Sequence, residues 1–138
     1  GGGKAAGPLV CGNLSLLVSL LGTPYMPDLR GAVLLIEDVG EEPYRLDRML
    51  TQLRNTGIGE EIAGLVFGTF THCAPTDPKK PSLKLEQVLD DFAEQIPAPV
   101  MSGLQYGHIP RKLTLPMGIP AEMDTRKGTL TLLEGAVE

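Results

Sequence analysis

Short unbroken apolar runs alternate with amphipathic stretches along this chain, and the two patterns predict different elements. Residues 32–36, AVLLI, contain no polar position, which is the mark of a strand covered on both faces, as in a parallel sheet. The run stops at Glu37, Asp38, Gly40, Glu41 and Glu42. Pro43 suits the first turn of a helix, and the acids before it suit a helix N-terminus. The stretch 44–56 then sets Leu46, Met49, Leu50 and Leu53 on one face, and Gly57 ends it. Earlier, Asn13 is placed to cap a helix over LSLLVSLL, with Gly22 as its stop. Its apolar residues run almost all round, so it is predicted to be buried on most sides. Residues 62–68 predict a second strand, followed by a long polar loop. Ser82 is the predicted cap of a further helix, on which Leu85, Val88, Leu89, Phe92 and Ile96 follow the 3.6-residue period. Residues 98–103 are a third strand candidate.

The last quarter changes character. KLTL, AEMDT and GTLTLL are short, Thr-rich and alternating, with DTRKG as the turn between the last two, and they predict antiparallel strands. The fold class is therefore α/β: a parallel sheet with helices, then a smaller antiparallel sheet. The opening GGGKAAG is Gly/Ala-rich without periodicity, so residues 1–7 are expected to be a linker, a domain junction or a cloning scar. Residues 8–138 form the domain, and no internal repeat is visible.

A chain of 138 residues suits one domain and can bury a core without disulfide or metal support. The net charge of −5 with scattered basic residues provides no counterion-releasing face, and Trp is absent, so nucleic acid is not an expected partner. Apolar stretches break well before membrane-spanning length, and no membrane association is expected. No charged-then-apolar leader opens the chain, though an internal fragment would lack one too. Cys11 and Cys73 lie far apart without a CxxC, which favours two idle thiols in a reducing compartment. His72 beside Cys73 is too few ligands for a metal. No metal and no organic cofactor are expected.

Two places break the core logic. Glu37 closes a buried strand, and GLQYGH puts His108 just after another strand candidate. Ligand sites in open parallel sheets gather at the carboxyl ends of strands. A carboxylate that accepts from a histidine N–H fixes its tautomer, as a general base requires. The competing reading makes Glu37 a solvated loop residue and His108 a structural histidine. Asp47 and Arg48 read as solvated or locally paired helix residues. Arg111 and Lys112 suit either an anionic substrate end or an exposed strand edge.

The order GNLSLLVSLLGTPYMPDLRG, LLIEDVGEEPYRLDRMLTQL, GLVFGTF and PVMSGLQYGH, followed by TLPMG, resembles the C-terminal domain of the LD-carboxypeptidases. These are the muramoyl-tetrapeptide carboxypeptidases, related to the microcin-immunity serine peptidases. The resemblance covers nearly the whole chain after its first residues and implies a swivelling β/β/α-type domain. It assigns Glu37 and His108 to a Ser-Glu-His triad, with the nucleophile on a Gly-x-Ser-Asp turn of an N-terminal domain that this chain lacks. Ser15, Ser19, Ser82 and Ser102 read as helix, cap or strand residues and not as a nucleophile elbow. The family often has Gly-Gly before Asn-Leu, where Cys11 precedes Gly12 here; Cys11 as a substitute nucleophile has no nearby base to recommend it. The implied reaction removes D-alanine from murein tetrapeptide at an L,D bond, in cytoplasmic cell-wall recycling. The implied partners are the serine-bearing domain, the tetrapeptide and a second copy in a homodimer. The alternatives are an immunity-type peptidase acting on aminoacyl-nucleotide conjugates, or a non-catalytic binding module. The isolated chain is expected to be inactive.

Overall fold

The apolar run at residues 32–36 lies at the centre of the sheet. In the computed structural model, which describes residues 2–137, strand β2 (Val33–Val39) is bracketed by β1 (Lys4–Asn13) and β3 (Gly64–Thr71). The remaining strands are β4 (Val100–Ser102), β5 (Pro120–Asp124) and β6 (Thr129–Leu132). They form one six-stranded sheet in the order β4-β3-β2-β1-β5-β6. The pairs β1–β2, β2–β3 and β3–β4 are parallel, while β1–β5 and β5–β6 are antiparallel. The expected parallel and antiparallel portions are both present, joined through β1 in a single mixed sheet.

The opening residues correct the sequence reading. Lys4–Pro8, expected to lie largely in a linker, pair with β5 from Asp124 back to Pro120. The pairing partner lies far along the chain, so nothing local marks this strand. The KLTL stretch also departs from expectation: residues 112–115 adopt no strand. Pro110 and Pro116 bracket it, and Leu113 N–H reaches only the carbonyl of Gln105, at 2.9 Å.

Helices α1 (Leu14–Ser19), α2 (Pro43–Asn55) and α4 (Leu85–Glu94), with the single turn α3 (Ile58–Glu61), accompany the sheet. Asn13 caps α1 as expected, its side chain accepting from Leu16 N–H. Leu14, Leu17 and Val18 are buried, but Leu16 is exposed, so α1 is open on one side. Helix α2 takes Pro43 as its first residue and buries Leu46, Met49, Leu50 and Leu53. Ser82 does not cap α4. Lys84 occupies that position without a side-chain bond, and the Ser82 hydroxyl donates to the Leu83 carbonyl instead. The stripe on α4 is as expected, with Val88, Phe92 and Ile96 buried, Leu85 and Leu89 packed against them, and Glu86, Asp90 and Glu94 exposed.

Strand alternation sorts the core into two layers. Leu34 and Ile36 join the helices in the larger one. Val33 and Leu35 face the other side with Leu9, Cys11 and Val66, where Leu104, Tyr106 and Leu115 of the segment between β4 and β5 cover them. Among the described residues no helix is long and apolar enough to cross a membrane.

Candidate active site

Glu37 and Asp38 are adjacent and point to opposite faces of β2, because successive strand side chains alternate. Both are buried, at 4% and 1% exposure. Asp38 turns toward the helices and accepts from Ser15 N–H at 2.9 Å, Asn13 Nδ2 at 3.1 Å and its neighbour Val39 N–H at 2.8 Å. Its carboxylate thereby satisfies a first-turn N–H of α1 and ties that helix to the end of β2. Sequence reading missed this residue. Its signal was an acid directly after a wholly apolar strand, and the same signal had drawn attention to Glu37.

Glu37 turns toward the covering segment. There its Oε2 lies 2.8 Å from His108 Nδ1. The environments differ sharply: the carboxylate side chain is 5% exposed and the imidazole 54%. A carboxylate that accepts this bond places a proton on Nδ1 and, in the neutral ring, leaves the lone pair on Nε2. Among the described residues Nε2 has no hydrogen-bond partner. The ring is anchored on its inner side and free on its outer side, the arrangement a general base requires.

A cleft of about 260 Å³ opens here, lined by Glu37, Tyr106, His108, Lys112 and Leu115 among others. A larger hollow of about 500 Å³ lies between α4 and β4 and includes neither member of the pair. The hydrogen-bonded Glu37–His108 pair, and not size, singles out the smaller one.

The other candidates are placed elsewhere. Ser15 donates its hydroxyl to Asn13 Oδ1 and Ser19 donates to the Leu16 carbonyl. Ser102 lies in edge strand β4. None of the four serines is bonded to His108 among the described residues. Cys11 lies in the second core layer, where burial pushes its thiol up to about 11 against an opposing hydrogen bond with Tyr106. That is the reverse of what activates a nucleophilic cysteine. Cys73 is also a free, buried thiol whose pKa is raised by burial, and it donates to the Thr71 carbonyl. No group of three metal-ligating side chains forms among the described residues. Lys112 lines the cleft with the pair and, like Arg111, is exposed.

Comparison with known proteins bears on this geometry. The profile of the LD-carboxypeptidase C-terminal domain matches residues 6–123. The chain belongs to the LD-carboxypeptidase family. It is similar to the probable murein peptide carboxypeptidase of Bacillus subtilis (strain 168), with 45% identity over 136 residues, 99% of this chain and 42% of the relative. It is also similar to the microcin C7 self-immunity protein of Escherichia coli, at 29% over 137 residues, covering 97% of this chain and 38% of that protein. The crystal structure of muramoyltetrapeptide carboxypeptidase from Oxalobacter formigenes superimposes with a TM-score of 0.84 and 35% identity, covering 94% of this chain and 45% of that one. The chain thus spans less than half the length of the LD-carboxypeptidase relatives it matches. Its mixed α/β sheet is the architecture of their C-terminal portion.

Proposed function

We propose that this chain supplies Glu37 and His108 to the Ser-Glu-His triad of an LD-carboxypeptidase, and that an N-terminal domain outside it supplies the serine. The observation that carries the reading is the 2.8 Å contact from the buried Glu37 carboxylate to Nδ1 of the half-exposed His108. In the full-length enzyme, Nε2 takes the serine hydroxyl proton as the serine oxygen attacks the carbonyl carbon of the L,D bond. The tetrahedral intermediate collapses, and the imidazolium gives its proton to the departing amine of D-alanine. Water, deprotonated by the same Nε2, then adds to the acyl-enzyme and frees the serine. Glu37 orients the imidazole and stabilises the imidazolium in both halves.

The substrate we propose is murein tetrapeptide, in cytoplasmic cell-wall recycling, with a homodimer as the assembly. The murein reading is favoured over the immunity reading by the higher identity to the murein peptide relative. A non-catalytic module would leave the two side chains free to separate, and their contact counts against it.

The test is D-alanine release from murein tetrapeptide by the full-length protein. Glu37→Gln should lower kcat by about 10⁴-fold and His108→Ala by about 10⁶-fold, and the isolated 138-residue chain should release none. Sustained release by the purified chain alone overturns the shared-triad reading.

A further inference from the structure

The contact between Glu37 and His108 joins a strand residue to a segment without regular structure, and something must hold that segment in place. The register of β3 supplies the answer. Ile36 pairs with Phe67 and Asp38 with Phe70, so two steps along β2 are matched by three along β3. The extra residue falls at Gly68–Thr69, directly opposite Glu37. A bulge of this kind releases backbone groups from the ladder and redirects them. Thr69 N–H donates to the carbonyl of Tyr106 at 2.8 Å, two residues before His108. The Thr69 hydroxyl reaches the carbonyl of Leu104 at 3.5 Å, a weaker second tie.

Two glycines make that approach possible. A Cβ on Gly68 would lie 2.6 Å from the Tyr106 carbonyl oxygen and 3.2 Å from Glu37 Cβ. A Cβ on Gly107, whose φ is +129°, would lie 2.8 Å from Glu37 Oε2 and 3.0 Å from the Thr69 carbonyl oxygen. The Glu37 side chain therefore runs through a slot whose walls are bare backbone from β3 and from the histidine segment. Any side chain at either glycine would push the segment outward or displace the carboxylate.

We propose that Gly68, Thr69 and Gly107 are positioning residues that fix the imidazole on the Glu37 carboxylate. The bulge aims one amide at the histidine segment, and the glycines let it close to contact. This rests on the triad reading above only for its effect on turnover. The geometric part stands on the isolated chain.

The test has two arms. In the isolated chain, imidazole nitrogen NMR reports whether His108 holds its proton on Nδ1. Wild type should show that tautomer, and Gly68→Ala and Gly107→Ala should lose it for a tautomer mixture while amide spectra remain those of a folded protein. Gly103→Ala is the control for backbone strain alone, since Gly103 has φ +88° and open space around it; it should keep the Nδ1–H form. In the full-length enzyme, the two slot variants should lose about 10²-fold in kcat, the scale of a misplacement near 1 Å, with KM little changed. Hydrogen exchange of the Thr69 amide in the wild-type chain provides a measurement that needs no variant. It should be protected although it lies outside the sheet ladder. Retention of the Nδ1–H tautomer and of kcat within about threefold in both slot variants overturns the proposal. So does a Thr69 amide that exchanges like an unprotected one, whether or not the variants fold. An inactive wild-type enzyme would sink the triad reading and leave the NMR and exchange arms to judge the slot.

Discussion

Phe92→Ala tests the load carried by the helical layer without touching the candidate site. Phe92 is 6% exposed and sits on α4 with its ring centroid 6.5 Å from that of Phe67 on β3, the planes inclined at 58°. Phe67 in turn meets Phe70 edge-on at 6.0 Å, so the substitution removes the outer member of an aromatic row. Truncating a buried phenylalanine costs about 3–5 kcal/mol, of which the lost ring–ring geometry accounts for roughly 0.5–1.5. Against a typical stability of about 5–15 kcal/mol, this is a large fraction. At about 2.1 cal/mol/K per residue of unfolding entropy, the melting temperature should fall by roughly 10–17 °C. Urea denaturation followed by circular dichroism is the assay, with the midpoint expected to drop and the slope unchanged. Because Glu37 and His108 lie on the opposite face of the sheet, the fraction still folded should keep the Nδ1–H tautomer of His108. A loss below about 1 kcal/mol would mean that α4 is not packed as described and would refute the reasoning from its apolar stripe.

Two further outcomes follow from buried polar groups. Asp38→Ala should destabilise the chain by about 2–3 kcal/mol in the same urea assay, because Ser15 N–H and Asn13 Nδ2 lose their acceptor; a change under about 0.5 kcal/mol would show that water replaces the carboxylate at no cost. The Cys11 thiol, raised by burial from 9.0 to about 11, should resist alkylation at pH 8 and react only as pH approaches 11. Since its folded pKa lies above the unfolded one, the stability it contributes is complete below pH 9 and is lost as pH rises through 11. Cys11→Ala should remove that part of the alkaline decline in melting temperature, and an unchanged decline would show that other groups cause it.

Much of this was legible because local pattern and tertiary fate agree. The run before Glu37 is buried on both sides of β2, and the stripe from Leu85 to Ile96 lies where its period puts it. Both members of the candidate pair were visible as ionisable residues at apolar strand ends. What escaped were features decided by distant parts of the chain. Lys4 to Pro8 offer no large apolar side chain, and their strand exists only through β5. The bulge at Gly68–Thr69 is written in a register between two strands, and GLVFGTFT reads the same with or without it. Residues 112–115 alternate like a strand, yet alternation alone finds them no partner between two prolines.

The double pairing of β1 also orders events in time. Its second half meets β2 across a short separation, Leu9 with Val33, 24 residues apart. Its first half must wait for β5, with Lys4 and Asp124 separated by 120. The longer closure costs roughly 1.4 kcal/mol more in chain entropy, and on the ribosome it cannot happen until the last strands have been made, several seconds later at about 5–20 residues per second. During that interval residues 4–8 are a bare edge able to pair with another nascent chain. Lys4 and Pro8 stand at the two ends of that edge, one charged and one without an amide to donate, which are the residues that discourage edge pairing. The ends of this half-strand therefore protect it from a wrong neighbour before the right one has been synthesised.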